Sequence, residues 1–319
     1  MPKPKVAFYW NASCGGCEEA VVDLNEKILD VVAAVDIVFW PVALDFKRKD
    51  VEAMPDGSIA VSFINGAIRL SEQQEMTEML RRKSGLVVAF GSCAHLGGIP
   101  GLANFTTKEK IFQRAYQLSP STMNSEGTYP IELYQSDGHD LTLPRFFDQV
   151  LPLDRIIDVD YYLPGCPPPV DLIVAAVMAI LKGELPPKGA VLSPNKALCE
   201  SCERNAAKPE KLAIKEIKRV HQTELDAEKC FLEQGIVCLG PATRSGCGER
   251  CISANMPCRG CFGPTDQVKD QGAKFLSSFA SLLDTNDETE IQKLVDTIVD
   301  PAGTFYRFSA PVSYLRHSK

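Results

Sequence analysis

Cysteine dominates the residues able to do chemistry in this 319-residue chain. Twelve are present: Cys14, Cys17, Cys93, Cys166, Cys199, Cys202, Cys230, Cys238, Cys247, Cys251, Cys258 and Cys261. The first two form Cys-Gly-Gly-Cys, and Cys93 and Cys166 close Gly91-Ser-Cys93 and Pro164-Gly-Cys166. The other eight run as Cys199-x2-Cys202, Cys230, Cys238, and then Cys247-x3-Cys251-x6-Cys258-x2-Cys261. Thiolates are soft donors for iron and zinc, and four of them hold one [4Fe–4S] cluster. Twelve cysteines make three such sets, the ligand complement of an electron wire.

The first set is Cys14, Cys17, Cys93 and Cys166, each placed just after an apolar, strand-like run. The glycines at these turns let backbone amides approach cluster sulfurs. The prolines after Cys166, Pro167 to Pro169, stiffen that turn and open a helix. Two other readings of these residues are four unrelated buried thiols and a thioredoxin-type Cys-x-x-Cys redox pair. Three separate glycine-cysteine turns after strands favour the cluster. The remaining eight split into Cys199, Cys202, Cys230 and Cys238, and Cys247, Cys251, Cys258 and Cys261. Zinc is the alternative for these two sets, because all-cysteine zinc sites use the same Cys-x2-Cys pairs.

Sets of ligands need elements to carry them. Short apolar runs at 6–10, 86–90 and 156–163 predict buried parallel strands, with further strands at 37–40 and 58–64. Helical patterns cover 18–33, 71–82, 107–117 and 169–181, and Ser71 with Gln74 predicts a capping box. This alternation gives an α/β fold: a flavodoxin-like, doubly wound parallel sheet domain over 1–182. Residues 182–194, rich in Gly and Pro, read as a linker. An irregular, cysteine-rich iron–sulfur domain follows over 195–265, with too few apolar residues to fold on burial alone. A helical tail packed on the rest, 266–319, carries helices near 272–283 and 288–299.

Composition narrows the partners. A formal charge of -7 lacks the basic face that nucleic acid requires. No run reaches the roughly 18 apolar residues of a membrane span; the longest candidate, 172–181, reads as a buried helix. The N-terminus enters a strand directly, the first arginine is Arg48, and no export signal is legible. The expected location is cytoplasmic, where reduced thiols serve as ligands rather than as disulfides.

Five motifs carry a resemblance to a known family. They are Trp10-Asn-Ala-Ser-Cys-Gly-Gly-Cys-Glu-Glu19, Gly91-Ser-Cys-Ala-His-Leu-Gly-Gly-Ile-Pro-Gly-Leu-Ala-Asn104, Asp160-Tyr-Tyr-Leu-Pro-Gly-Cys-Pro-Pro-Pro169, Cys238-Leu-Gly-Pro-Ala-Thr-Arg-Ser-Gly-Cys247 and Asn255-Met-Pro-Cys-Arg-Gly-Cys-Phe-Gly-Pro264. Over essentially its whole length the chain resembles the small subunit of [NiFe] hydrogenases, most of all the methyl-viologen-reducing, F420-non-reducing type. The resemblance implies three [4Fe–4S] clusters: proximal on Cys14, Cys17, Cys93 and Cys166, medial on Cys247, Cys251, Cys258 and Cys261, and distal on Cys199, Cys202, Cys230 and Cys238. Periplasmic members usually have histidine at the Cys199 position and often only three medial cysteines; four thiolates at both sites here favour lower potentials.

The same resemblance implies partners. The Ni–Fe centre belongs to a large subunit, and electrons leave through a [2Fe–2S] subunit, which often docks on a flavin-containing heterodisulfide reductase. No catalytic residue lies in this chain itself. Glu19 matches a family position near the proximal cluster, for which proton exit and a plain helix N-terminal acid are competing roles. His95 is expected beside the ligands or at the subunit interface rather than as a ligand; His139, His221 and His317 read as loop or surface residues. Rival readings are an NADP- or sulfur-linked hydrogenase small subunit, the quinone-proximal subunit of complex I, and a zinc-stabilised scaffold. The complex I subunit lacks the eight-cysteine region and has adjacent cysteines where this chain has Cys-Gly-Gly-Cys.

Overall fold

The computed structural model describes residues 2–315; His317 lies outside the described residues. Five strands form the central sheet: β1 Lys5–Trp10, β2 Asp36–Phe39, β3 Ile59–Asn65, β4 Ser84–Phe90 and β5 Tyr161–Leu163. All are parallel, in the order β2-β1-β3-β4-β5. This is the doubly wound, flavodoxin-like order, whose ligands gather beyond the carboxyl ends of the strands.

A parallel sheet covered on both faces needs strands that are apolar on both faces. Val6, Phe8, Val61, Phe63, Val88, Phe90, Tyr161 and Leu163 face one core, with Ile173 and Ala176 of the helix Val170–Lys182. Ala7, Ile59, Ile64, Val87 and Ala89 face the other, against Met76, Met79 and Leu80 of the helix Ser71–Lys83. Register aligns the strand ends: Trp10 pairs with Asn65, Asn65 with Phe90, and Phe90 with Leu163. The row Trp10–Asn65–Phe90–Leu163 is therefore a common edge from which the cysteine-bearing loops leave.

Four sequence expectations change. The helix read over 18–33 is two helices, Gly16–Val22 and Lys27–Ala34; Asn25, at φ 51°, breaks it in a left-handed conformation that asparagine tolerates. The strand read over 156–163 is only Tyr161–Leu163; residues 156–160 form a loop that follows the 3-10 turn Leu153–Arg155. Gln73, not Gln74, caps the helix Ser71–Lys83: its Oε1 accepts from the Arg69 and Leu70 amides at 2.8 and 2.9 Å. Ser71 Oγ instead accepts from the Arg145 amide, and Gln74 donates to Glu78. The 182–194 segment is not a free tether. Leu192 donates to Tyr162 O at 2.8 Å, Tyr162 to Ala190 O at 3.1 Å, and Gly189 to Asp160 O at 2.7 Å. The segment thereby covers the exposed edge of β5.

The cysteine-rich region has a larger apolar core than its own sequence provides. Leu198, Ile214, Phe231, Leu239 and Ile252 pack with Phe275, Phe279, Phe305 and Tyr306. The last four come from the tail, where Phe275 stacks on Phe279 at 5.5 Å and on Phe305 at 5.7 Å between ring centroids. Burying each such ring contributes about 1.5–3 kcal/mol. Arg244, 1% exposed, ties this region to the 182–194 segment and to the start of the tail. Its guanidinium donates to Pro264 O, Ser193 O and Asp266. No helix among the described residues is long and apolar enough to cross a membrane.

Asp160 fastens the sheet at its far edge. Its carboxylate meets Arg81 and Lys188, each at 2.6 Å, and accepts from the Val87 amide at 2.8 Å. Burial works to raise its pKa, but the hydrogen bonds from Lys188, Arg81 and Val87 outweigh it and hold the carboxyl below its usual range. A lowered native pKa means stability present above the ordinary value of about 3.9 and lost only as pH falls through the native value. Asp160→Asn is therefore expected to cost about 1–3 kcal/mol, equally at pH 6 and pH 8. Thermal denaturation of the purified protein at the two pH values measures it; a loss that grew between them would contradict the assignment.

Candidate metal centres

The shared strand edge brings the first four cysteines together. Cys14 lies four residues beyond Trp10, and Cys93 and Cys166 lie three beyond Phe90 and Leu163. Cys17 sits in the first turn of the helix Gly16–Val22, which starts after Gly15 in a left-handed conformation. Burial raises the Cys17 pKa, and the charges of Cys93, Cys166 and Cys14 raise it further. Cys93 is pushed up to about 12 by burial and then by Cys166 and Cys14. The four thiols therefore form one mutually coupled group.

The other eight are coupled to one another as well. Burial raises Cys199 to about 12, with Cys238, Cys230 and Cys202 adding to it. Cys238 is raised to about 11 by burial, against hydrogen bonds from the Gly240 and Cys258 amides. Cys261 rises to about 12 through burial and the charges of Cys166, Cys247 and Cys251, while Cys258 is raised by burial, Cys238 and Cys261.

Two junctions link the groups. The Cys258 amide donates to Cys238 Sγ at 3.3 Å. At the other junction the Cys166 thiol stands close enough to Cys261 for its charge to raise the Cys261 pKa. Ser92 fixes this second junction, because its hydroxyl meets both Gly165 O, at 2.8 Å, and Cys261 O. Cys166 and Cys261 therefore meet at one junction, and Cys258 and Cys238 at the other.

The donors and the space around them fit iron–sulfur clusters. Amides aimed at sulfur are what such clusters use to set their potential, and here Gly240, Cys258, Gly260, Ile99 and Glu249 supply them. The backbone also comes too close to the sulfurs to admit side chains. A Cβ on Gly91 would stand 2.4 Å from Cys17 Sγ, and one on Gly98 2.5 Å from Cys93 Sγ.

Several flanking residues escaped the sequence reading. Glu19 is exposed, whereas its neighbour Glu18 is 3% exposed. Glu18 accepts from Asn65 Nδ2 and from the Trp40 indole, and burial raises its pKa despite these bonds. Among the two acids, only Glu18 is built into the site. Arg204 is buried on Phe231, 4.2 Å above the ring, and donates to Asn255 and to the Asp226 and Lys229 carbonyls. Position beside a cysteine was the available signal: Cys17-Glu18, Cys202-Glu-Arg204, Arg244-Ser-Gly-Cys247 and Cys258-Arg259. His95 packs against Tyr162 with ring centroids 4.6 Å apart, and burial with the Arg244 charge lowers its pKa to about 3. His139 and His221 are exposed.

Comparison with known proteins decides the family. Residues 14–180 match the family described as NADH ubiquinone oxidoreductase, 20 Kd subunit. The iron-sulfur subunit of the F420-non-reducing hydrogenase of Archaeoglobus profundus is 43% identical over 310 residues, 96% of each chain. The chain belongs to the family of F420-non-reducing hydrogenase small subunits. The corresponding F420-non-reducing hydrogenase chain of Methanothermobacter marburgensis is 38% identical, covering 98% of this chain and 96% of that one. The fold matches that of the [NiFeSe] hydrogenase of Desulfovibrio vulgaris Hildenborough, with a TM-score of 0.53, 19% identity, and 83% and 94% of the two chains covered. This hydrogenase small subunit is an oxidoreductase component with an electron-transfer role. The relatives span the eight-cysteine region, which sets this small subunit apart from the complex I reading.

The close approach of glycine to sulfur makes a test. Gly91→Ala is expected to displace the Cys17 thiol and lower the iron content of the purified hydrogenase by about four per small subunit. Gly57→Ala is the control: Gly57 also has a positive φ, but a Cβ there meets nothing within 4 Å. Equal iron in the two variants would show that the glycine is not needed for clearance.

Proposed function

We propose that this subunit holds three [4Fe–4S] clusters and carries electrons from the Ni–Fe site of a large subunit to a [2Fe–2S] subunit and on to a flavin-containing heterodisulfide reductase. Cys14, Cys17, Cys93 and Cys166 hold the proximal cluster, Cys247, Cys251, Cys258 and Cys261 the medial, and Cys199, Cys202, Cys230 and Cys238 the distal. When bound, the clusters supply one-electron carriers in series. The chain's own residues arrange the relay. The sheet edge presents the first set, Ser92 clamps the first set to the second, and the Cys258 amide joins the second set to the third.

The observation that supports this reading most is the gathering of Cys14, Cys17, Cys93 and Cys166 beyond one in-register strand edge, with the Cys258 amide on Cys238 Sγ at 3.3 Å tying together the cysteines of the second region. Neither four unrelated buried thiols nor a single Cys-x-x-Cys redox pair requires such an arrangement. The identities of 43% and 38% to chains of F420-non-reducing hydrogenases support the choice of acceptor chain over the NADP- or sulfur-linked type.

Anaerobic purification from the native host, with iron, sulfide, zinc and nickel assayed, tests cluster number and partner together. About twelve iron and twelve sulfide per small subunit, with a nickel-bearing partner, is the expected result. About four iron with zinc would leave one cluster and overturn the three-cluster relay. The direction of flow has a separate test. Cys199→Ser is expected to slow hydrogen-dependent viologen reduction about tenfold or more, equivalent to roughly 1.4 kcal/mol on the barrier, while hydrogen/deuterium exchange at the partner's site continues. Loss of exchange in an assembled variant would contradict the distal position of that group.

A further inference from the structure

A cavity of about 240 Å³ lies beside the junction of the Cys258 and Cys238 loops. Its wall includes Lys218, Arg219, His221, Arg259, Asp300 and Arg307. A chain with a formal charge of -7 here gathers three guanidinium groups on one small space.

None of the three is paired with a carboxylate among the described residues. Arg307 Nε donates to Gly303 O at 2.9 Å, and Arg219 is engaged through its backbone, its amide donating to Gln222 Oε1 at 2.7 Å and its carbonyl accepting from the Gln222 amide at 2.9 Å. Arg259 is half-buried and makes neither a hydrogen bond nor an ion pair there. The acids nearby are otherwise occupied: Glu216 pairs with Lys218, and Asp300 Oδ1 accepts from the Gly303 amide at 2.9 Å as a helix cap. Arg259 lies next to Cys258 in the chain. The Cys258 sulfur gives Arg259 a local counter-charge, but it does not account for Arg219 and Arg307.

From this geometry we infer that the cavity is a binding site for a small, multiply charged oxyanion of the inorganic phosphate class. Guanidinium groups present planar forks of N–H donors that match such oxygens, and ionised partners make the stronger hydrogen bonds. The volume falls below the range of about 300–1,000 Å³ typical of drug-sized ligands, which selects a free anion over a nucleotide. This site is independent of how many clusters the subunit holds.

Equilibrium dialysis of the intact, anaerobically purified hydrogenase complex against radiolabelled inorganic phosphate in dilute chloride buffer tests it. One saturable site per small subunit, displaced by sulfate, is expected. The Arg259→Gln, Arg307→Gln double variant, matched to wild type in iron content, is expected to bind about tenfold more weakly or worse, as losing charge-assisted hydrogen bonds requires. Arg219 is exposed, so Arg219→Gln provides the same measurement if the double variant loses iron; it too should bind more weakly. No saturable phosphate in the wild-type complex, or undiminished binding in the arginine variants, would overturn the assignment.

Discussion

Packing thiols together away from water is the constraint on which this structure turns. Ionising one buried thiol is costly, and ionising four in one place is costlier, since each thiolate opposes its neighbours. The pKa values of Cys93, Cys199 and Cys261, all pushed up to about 12, express both effects. Such groups favour the protonated form until a cation offsets the repulsion, so metal binding and proton release are linked. The protein relieves part of the cost itself. Backbone amides point at Cys238, Cys258 and Cys93, and the buried guanidinium groups of Arg204 and Arg244 stand in the surrounding loops.

The sheet solves a different problem, that of bringing distant residues to one point. Cys14 and Cys166 are 152 positions apart, yet both lie a few residues past a single in-register row. Parallel pairing does this because every carboxyl end falls on the same side. β3 contributes no cysteine to the row. It supplies Asn65, which holds Ser13 at 2.9 Å and Glu18 at 2.5 Å, and so orients the loop that carries Cys14 and Cys17. The second region has no sheet to rely on. Its loops are spaced by Arg204, by Phe231 beneath it, and by aromatic rings from the tail, Phe275 to Tyr306.

This contrast explains what was legible in the sequence. Continuous apolar runs such as 86–90 announce buried strands, because no other element of that length is apolar throughout. Glycine-cysteine turns directly after them announce ligands at strand ends. The same logic fails over 156–163, where Ile156 and Ile157 are apolar for packing beneath the sheet and not for pairing within it. It fails again at the 182–194 segment, whose Gly and Pro content marks a turn-rich path but not the edge it covers. Glu18 could not be distinguished from Glu19 by spacing. Only the positions of Trp40 and Asn65, from two other strands' ends, decide which acid is enclosed.

The contact between Cys258 and Cys238 uses backbone, which makes it rigid. A side chain bridging two groups could change rotamer; an amide donor cannot move without its loop. The Cys258 amide that donates to Cys238 Sγ belongs to a cysteine-bearing loop. Displacing that loop disturbs Cys258 and Cys238 together. Ser92 extends that coupling into the sheet domain, since its hydroxyl reaches the Gly165 and Cys261 carbonyls from the turn that carries Cys93. The spacing of these cysteines is therefore set by the same short segments that carry them, and not by the contact between two independently folded bodies.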